Sequence, residues 1–489
     1  MNRQIRRLGI ALLVCFAALF LQLNYVQVVE AHKLATAPGN TRAITESYSR
    51  PRGVIQTADG VVVARSVPTK DSLKFLRQYP TGQLFAQVTG YYSFIYGADG
   101  VERVYDPQLT GKSLPIRKLS DLLTTRISTG DVTLTLSNKL QQAAQSALGS
   151  RVGSVVAIDP DSGGILAMWS YPSYDPNPLS AHDSTAQKNA WNLYQLDPAQ
   201  PMLDRAFRRS YPPGSTFKIV TSSAVLDRDP SLAGKSYPET GQISLPLTTN
   251  TLHNFNHESC GGTLPELLKV SCDTGFGQIG LDLGADNLSG EAAAFGFGQA
   301  PRLDLPAPAA STFPPASYFK ANLPLLAFSA IGQADVSATA LQMALVGAAI
   351  AHGGTAMTPH VMSEITDSEG NVVTRYSPHP WLQATSAQTA SAVTAMMTQV
   401  VQPGGTAPDL NLPGVQVAAK TGTAQTGVNT TDDWMVAFAP ANAPRVVVAV
   451  NVPGQAPSAT GDAVAGPIAK AVLTAALSLS ASSTPPPAG

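Results

Sequence analysis

The stretch Tyr211-Pro212-Pro213-Gly214-Ser215-Thr216-Phe217-Lys218 decides how the chain is interpreted. A Pro-Pro-Gly turn leads a serine into an apolar run that reaches about residue 226, and this pattern predicts a helix. Ser215 and Lys218 are three positions apart, so both lie on one face of that helix. A desolvated lysine amine can accept a serine proton, and a first helical turn presents free backbone N–H groups. The stretch therefore predicts an activated nucleophile.

Length and charge limit the possible functions. A chain of 489 residues predicts at least two domains. A formal net charge of −1 gives no indication of a nucleic-acid partner. The sequence has no phosphate-binding loop, no dinucleotide-binding glycine motif and no His-Glu-x-x-His zinc motif. We therefore expect no cofactor and no resident metal.

The N-terminal segment predicts a membrane anchor. Three arginines, at positions 3, 6 and 7, precede residues 8–29, which carry no charge. At about 1.5 Å per residue, a helix of that length spans a hydrocarbon core of roughly 30 Å. The basic flank predicts a cytoplasmic N-terminus and an exported remainder. A cleaved signal peptide is the alternative, although the run is long for one and no small-x-small site directly follows it.

The rest of the chain predicts a support domain and a catalytic domain. In the first part, Asp59-Gly60 leads into a valine-rich strand and Ser137 caps a helix, but no reactive cluster occurs. Beyond it, a hairpin at 154–170 and strands at 415–452, with helices between them in the sequence, predict one sheet in an α/β sandwich with mixed chain order. The expected divisions are an anchor (1–30), an N-terminal support domain (31–150), a catalytic domain (151–479) and a disordered tail (480–489).

Three further segments carry specific expectations. Residues 327–351 are apolar at helical spacing and predict one helix. Residues 91–111 are rich in glycine and tyrosine and indicate no helix. Residues 415–419 predict a strand that ends where Lys420-Thr421-Gly422 begins.

The most informative pattern is an ordered triple of short motifs. Ser-x-x-Lys alone is weak evidence, because Ser317 and Lys320 have the same spacing in a Pro-rich segment. Here Ser215-x-x-Lys218 is followed by Ser271-Cys272-Asp273 and then by Lys420-Thr421-Gly422. This set resembles that of the penicilloyl-serine transferases, which comprise the penicillin-binding proteins and the serine β-lactamases.

The resemblance extends over nearly the whole chain. Arg52-Gly53-Val54-Ile55 and Gly100-Val101-Glu102 resemble the pedestal boxes of class B penicillin-binding proteins, and Ile331-Gly332-Gln333 resembles a segment of their transpeptidase domain. The interval between anchor and catalytic domain leaves no room for the glycosyltransferase domain of class A members. The short Ala/Thr/Pro-rich chain resembles the actinobacterial penicillin-binding protein A type.

The resemblance implies a fold and a function. The fold would be an α/β (α+β) transpeptidase domain of the serine β-lactamase type, preceded by a dimerisation-like pedestal and one transmembrane helix. The protein would be a cell-membrane peptidoglycan D,D-transpeptidase that cross-links stem peptides outside the cytoplasm during growth or division and is acylated by β-lactams. Implied partners are a membrane-embedded glycan polymerase and other elongation or division proteins.

Two other functions stay open. A D,D-carboxypeptidase or a β-lactamase-like hydrolase would share the acyl step but use water as acceptor. A scaffold of the growth machinery could keep the fold with weak catalysis or none.

The resemblance also implies roles for four catalytic side chains. Ser215 would attack the D-Ala-D-Ala carbonyl, and Lys218 would take its proton. Ser271 would relay protons towards the leaving D-Ala. Lys420 would hold positive charge near the substrate carboxylate and keep Lys218 neutral by repulsion.

The third motif would bind the substrate. The hydroxyls of Thr421 and Thr423 would bind its carboxylate, and Gly422 would allow close approach of backbone and substrate. The backbone N–H groups of Ser215 and Thr423 would form the oxyanion hole.

Asp273 departs from the family, which usually has asparagine at this position. An amide can donate hydrogen bonds to the substrate, whereas an ionised carboxylate cannot. A carboxylate beside Lys218 would also favour the ammonium form. Our hypothesis is that Asp273 lies in the site and tunes Lys218 through a charged pair.

Two cysteines leave one structural question open. Cys260 and Cys272 lie in the predicted exported part, where they can either form a disulfide or stay unpaired. With His253 and His257 they also form a pattern compatible with zinc. Because these residues fall in a predicted loop, we favour a loop cluster without metal.

Overall fold

The structure, a computed structural model, describes residues 2–30, 48–112 and 129–482. The chain divides into two compact units, residues 1–51 with 67–76 and residues 52–66 with 77–489. The smaller unit contains α1, Asn2–Asn24, which a π-helical turn continues through Tyr25–Val29. Two helical segments, Arg3–Gln27 and Gly461–Leu479, are long and apolar enough to cross a membrane, and the second is partly buried in the protein.

The remaining elements follow in chain order. The strands are β1 Ile55–Gln56, β2 Val62–Pro68, β3 Phe75–Gln78, β4 Tyr92–Ser93, β5 Gly97–Ala98, β6 Asp131–Leu134, β7 Gly153–Ile158, β8 Ile165–Tyr171, β9 Tyr237–Thr240, β10 Gln242–Ser244, β11 Thr251–His253, β12 Cys260–Gly262, β13 Thr355–Met357, β14 Met362–Thr366, β15 Val372–Arg375, β16 Pro380–Gln383, β17 Ala418–Gln425, β18 Thr431–Ala439 and β19 Val446–Gln455. The helices are α2 Ala86–Thr89, α3 Gly100–Val104, α4 Asp106–Leu109, α5 Asn138–Leu148, α6 Asn177–Ser180, α7 Ser184–Leu196, α8 Lys218–Arg228, α9 Leu264–Lys269, α10 Asp273–Ala294, α11 Leu323–Ser329, α12 Ala340–Ala351, α13 Ala387–Val400 and α14 Gly461–Ser482.

The central sheet confirms the predicted architecture. Its five strands run in the order β17-β18-β19-β7-β8, and every neighbouring pair is antiparallel. β7 and β18 are buried along their whole length, as expected for strands covered on both faces. α12 packs on one face, where a side chain on Gly347 would collide with Val436 and Val447. α14 packs on the other face, where Gly466 lies against Met435.

A second sheet contains strands from two distant parts of the sequence. Its order is β15-β14-β6-β1-β2-β3, so strands β14 and β15 join strands of the predicted support domain. Nearby, the buried carboxylate of Glu102 receives both Arg52 and Arg77, at 2.9 Å and 2.5 Å. Burial alone would raise the pKa of Glu102, but the two guanidinium groups hold that pKa below its usual value.

Several boundaries differ from the sequence expectations. The predicted helix over 327–351 is two helices, because α11 ends at Ser329 and the Thr339 hydroxyl caps the start of α12. Residues 91–111 contain the short helices α3 and α4, which we had not expected. Helix α10 is interrupted at Gly284, at φ +75°, and resumes to Ala294.

The C-terminal boundaries also change. Lys420-Thr421-Gly422 lies inside β17 and not after it, because the strand continues to Gln425. The last helix, α14, extends through Ser482, three residues into the predicted tail. Residues 483–489 of that tail, and residues 31–47 at the start of the expected support domain, lie outside the described residues.

One carboxylate in the central sheet has an unusual environment. Asp433 lies on β18, is fully buried and neighbours Asp432. Burial and the charge of Asp432 raise the pKa of Asp433 to about 7. Below about pH 4 the Asp433 carboxyl is protonated in both the folded and the unfolded chain. Between about pH 4 and pH 7 it stays protonated in the folded chain but is ionised in the unfolded chain. Because of Asp433, the free energy of unfolding therefore decreases as the pH rises between these values.

We expect Asp433→Asn to remove this pH dependence. The melting temperature of the variant should exceed that of the wild type by a few degrees at pH 8 and match it at pH 4. Thermal unfolding of the detergent-solubilised chain at both pH values measures the difference. Asp286→Asn, which changes an exposed carboxylate, is the control. If the variant and the wild type differ in melting temperature by the same amount at pH 4 and pH 8, the raised pKa of Asp433 is contradicted.

Candidate active site

The predicted nucleophile turn is held against the sheet by the backbone. Residues Gly214–Phe217 form a 3₁₀ turn that precedes α8, and the eclipsed positions of such a turn keep Ser215 and Lys218 on one face. The Gly214 N–H donates to the carbonyl of Gly332 at 2.9 Å. The indole N–H of Trp434, on β18, donates to the carbonyl of Pro212 at 2.8 Å. The serine is thus positioned by several segments of the chain.

Gly422 allows β17 to approach this turn closely. A Cβ at Gly422 would lie 2.9 Å from the Pro213 carbonyl oxygen and 3.0 Å from Thr216 Cγ2. Any larger side chain would push the strand away from the serine. The predicted close approach at Gly422 is therefore between β17 and the nucleophile turn, and the absence of a side chain at this position allows it.

The middle motif joins two helices. A capping box at Thr263 and Glu266 begins α9, and Asp273 is the first residue of α10. Between them, Ser271 has φ +57°, a left-handed conformation that is rare for a residue with a side chain. This conformation places both the carbonyl and the hydroxyl of Ser271 beside Lys218.

The cysteines at positions 260 and 272 form a disulfide. Cys260 and Cys272 are bridged, with their Cα atoms 5.8 Å apart, so the middle motif is tied to β12. The bridge removes both thiolates from the zinc alternative. His253 and His257 pack edge to face, and the described residues contain no group of three or more side chains able to hold a metal.

The three motifs meet at two lysines and one serine. Lys218 Nζ lies 2.6 Å from Asp273 Oδ1 and donates to the Ser271 carbonyl at 2.7 Å. Lys420 Nζ donates to the Ser271 hydroxyl at 2.8 Å, and Lys218 Nζ lies 3.3 Å from the same oxygen. Ser215 Oγ donates to Asp273 Oδ1 at 3.4 Å. Ser271 Oγ therefore lies between the Nζ atoms of Lys218 and Lys420.

Burial determines the charge state of the two lysines. Both side chains are fully buried. Burial lowers the pKa of Lys218, and the Asp273 carboxylate opposes that decrease. Burial and the charge of Lys218 lower the pKa of Lys420 well below its usual value. Because the one carboxylate lies against Lys218, the free site favours Lys218 as the ammonium and Lys420 as the amine. This is the reverse of the order that the resemblance implies.

Thr406 is a site residue that the sequence did not reveal. It follows α13 in a Gly-Gly-Thr turn, and its hydroxyl lies 2.8 Å from the hydroxyl of Thr421. Thr423 Oγ1 accepts the backbone N–H of Gly461 at 3.0 Å. No motif marked Thr406, since its role depends on contact with a strand that follows later in the chain.

An open cleft lies over these groups. Its volume is about 540 Å³. Its wall includes Ser215, Ser271, Asp273, Thr421, Thr423 and Thr406. Lys218 and Lys420 lie beneath that wall, where water does not reach them.

Comparison with known proteins identifies the family. A model of the penicillin-binding protein transpeptidase domain matches residues 153–474, and a model of the penicillin-binding protein A dimerisation domain matches residues 52–132. The chain belongs to the penicillin-binding protein transpeptidase family. This penicillin-binding protein is 40% identical to the peptidoglycan D,D-transpeptidase PbpA of Mycolicibacterium smegmatis over 98% of its own length and 99% of the relative. The PbpA of Mycobacterium tuberculosis is 38% identical over the same shares of the two chains.

Solved structures agree with the assignment. Penicillin-binding protein A from M. tuberculosis, as its ceftriaxone acyl-enzyme, superposes with a TM-score of 0.82 at 37% identity, covering 88% of this chain and 100% of that one. Its penicillin G acyl-enzyme gives a TM-score of 0.80 at 37% identity, with the same coverage.

We expect Thr406→Val to slow acylation of this penicillin-binding protein. The variant loses the hydroxyl that orients Thr421, a contact worth about 1 kcal/mol, or roughly fivefold in rate. The second-order rate constant for labelling by a fluorescent penicillin measures the effect. Thr406→Ser keeps the hydroxyl and should label like the wild type. Equal rates for the valine variant and the wild type would show that Thr406 does not orient Thr421.

Proposed function

We propose that this penicillin-binding protein is a peptidoglycan D,D-transpeptidase that cross-links stem peptides through a serine acyl-enzyme. The observation that carries the proposal is the meeting of all three motifs at Ser271, beside Ser215 and in an open cleft. The names of the mycobacterial relatives and the acyl-enzyme structures of one of them support it.

The first step of the mechanism is the production of a neutral base. Lys218 can pass a proton to Ser271 Oγ while Ser271 passes its own proton to Lys420, because the two distances are 3.3 Å and 2.8 Å. Lys218 is then neutral and Lys420 is the ammonium. A substrate carboxylate bound beside Thr421 favours this arrangement, since it stabilises positive charge on Lys420. Substrate binding therefore helps to create the base.

The second step is acylation. Ser215 Oγ attacks the carbonyl of the penultimate D-Ala and gives its proton to Lys218. Backbone N–H groups of Ser215 and Thr423 stabilise the oxyanion, each by about 3 kcal/mol. Thr423 Oγ1 already accepts a hydrogen bond from Gly461, so its own proton is free for the substrate carboxylate. The C–N bond breaks and D-Ala leaves with a proton returned along the same path.

We also propose where the protein acts and with what. The basic N-terminal flank and α1 support a single-pass anchor with the remainder outside the cytoplasm. The proposed divisions are an anchor over 1–30, a pedestal over 31–150, a transpeptidase domain over 151–479 and a tail over 480–489. Glycan strands would come from a membrane-embedded polymerase that works with other elongation or division proteins.

The central test is acylation by a fluorescent penicillin. We expect a stable covalent label on the wild-type chain that is absent from Ser215→Ala, since the variant lacks the attacking oxygen. Ser317→Ala, which removes the serine of the other Ser-x-x-Lys sequence, should label normally. Rapid loss of label would instead indicate a hydrolase. A wild-type chain that takes no label would overturn the enzymatic assignment.

We expect Asp273→Asn to shift the pH dependence of acylation. The carboxylate stabilises the ammonium form of Lys218, so its removal lowers the pKa of Lys218 further. Because the neutral amine is the base, the acidic limb of the acylation rate should move to lower pH. Asp282→Asn disrupts a different Lys–Asp pair, with Lys235 at 2.6 Å, and is the matched control. If the acidic limb of the acylation rate lies at the same pH in Asp273→Asn and the wild type, Asp273 does not change the pKa of Lys218.

A further inference from the structure

A second groove continues from one end of the catalytic cleft. Its volume is about 680 Å³, and it is lined by parts of β9 and β12, the end of α9 and the turn at Gly404. The groove and the cleft share Ser259, Cys260 and Val270. Gly404 lies two residues before Thr406, which lines the cleft. The groove thus begins beside the threonine pair, Thr406 and Thr421.

The chemistry of transfer indicates which ligand belongs there. In the second half of the reaction, a neutral amine attacks the ester carbon on Ser215. A C–N bond forms, the C–Oγ bond breaks, and the proton of the amine returns through Lys218 to Ser215 Oγ. By microscopic reversibility, this amine occupies the position that the D-Ala amine left. The acceptor chain therefore extends over the end of the cleft where the D-Ala carboxylate was bound, at Thr421.

One lysine that lines the groove, Lys269, has no anionic partner among the described residues. Lys269 is half-buried at the end of α9, and its Nζ lies 3.7 Å from where a Cβ on Gly404 would be. Within the described ranges, no carboxylate lies within ion-pair distance of it. Its neighbour Glu266 is engaged elsewhere, because it accepts the Thr263 N–H at 2.6 Å and the Thr263 hydroxyl at 2.8 Å. Lys269 is available for an anionic group of a ligand.

We propose that this groove binds the acceptor stem peptide and that Lys269 contacts a carboxylate of that peptide. The inference rests on the proposed transpeptidase function, which supplies the acyl-enzyme. It assigns donor and acceptor to adjoining sites, the donor to the cleft and the acceptor to the groove. The disulfide between Cys260 and Cys272 forms part of the wall that both sites share.

The test compares a short with a long acceptor. The full chain in detergent is acylated with an N-acyl-D-alanyl thioester, and transfer is measured to D-alanine, which fills only the cleft, and to the tripeptide D-Ala-D-Glu-D-Glu. We expect the wild type to prefer the tripeptide. Lys269→Met should lower transfer to the tripeptide about tenfold, the value of one charge-assisted contact. Transfer to D-alanine and thioester hydrolysis should stay within about twofold.

Two further variants separate charge from structure. Lys269→Arg keeps the positive charge and should restore transfer to the tripeptide. Lys188→Met, on an exposed lysine of α7, should behave like the wild type. Tripeptide transfer that is equal in Lys269→Met and the wild type, or no preference for the tripeptide in the wild type, would overturn the acceptor groove. A wild type that neither consumes the thioester nor takes a penicillin label would instead overturn the proposed function.

Discussion

Two lysine side chains buried on either side of one serine hydroxyl form the constraint on which this site depends. A buried ammonium is costly unless an opposite charge lies close, and among the described residues the carboxylate that pairs with Lys218 is that of Asp273. Because one carboxylate can balance one buried ammonium, the site stabilises one positive charge on the lysine pair but not two. That charge can move, because Ser271 Oγ lies within hydrogen-bond distance of both amines. We therefore expect the aspartate at position 273, where the family usually has asparagine, to favour the ammonium form of Lys218 in the free enzyme, and the three motifs still meet at Ser271.

The position of these groups depends on the edge of the central sheet. β17 is an outer strand, so one side of its backbone is unpaired within the sheet and open to a substrate. The same strand supplies Lys420, Thr421 and Thr423. Gly422 lets the nucleophile turn pack against the strand, and Trp434 fixes that turn from the neighbouring strand. The reacting groups are therefore positioned by a sheet whose neighbouring strand, β18, is buried along its whole length.

The sequence predicted those features that depend on local pattern. The ordered motifs identified Ser215, Lys218, Ser271 and Lys420 as candidates, and short apolar runs predicted the strands of the central sheet. It could not predict features that arise from tertiary contact. Thr406 meets Thr421 only after folding, and burial, which no motif records, lowers the pKa of both Lys218 and Lys420. The apolar run over 327–351 looked like one helix because periodicity does not show that its middle turns away to hold Gly214.

The pairing of β7 with β19 has a consequence for how the protein is made. β7 is the first strand of the central sheet in the sequence and β19 is the last, and they are neighbours in space. Contacts between such distant segments are slow to form, because a long loop must close before they are gained. During synthesis, the segment carrying Ser215 is made well before β17, β18 and β19, so Lys420 cannot join the nucleophile until nearly the whole chain has been made. The order of synthesis thereby delays acyl transfer until the chain is nearly complete.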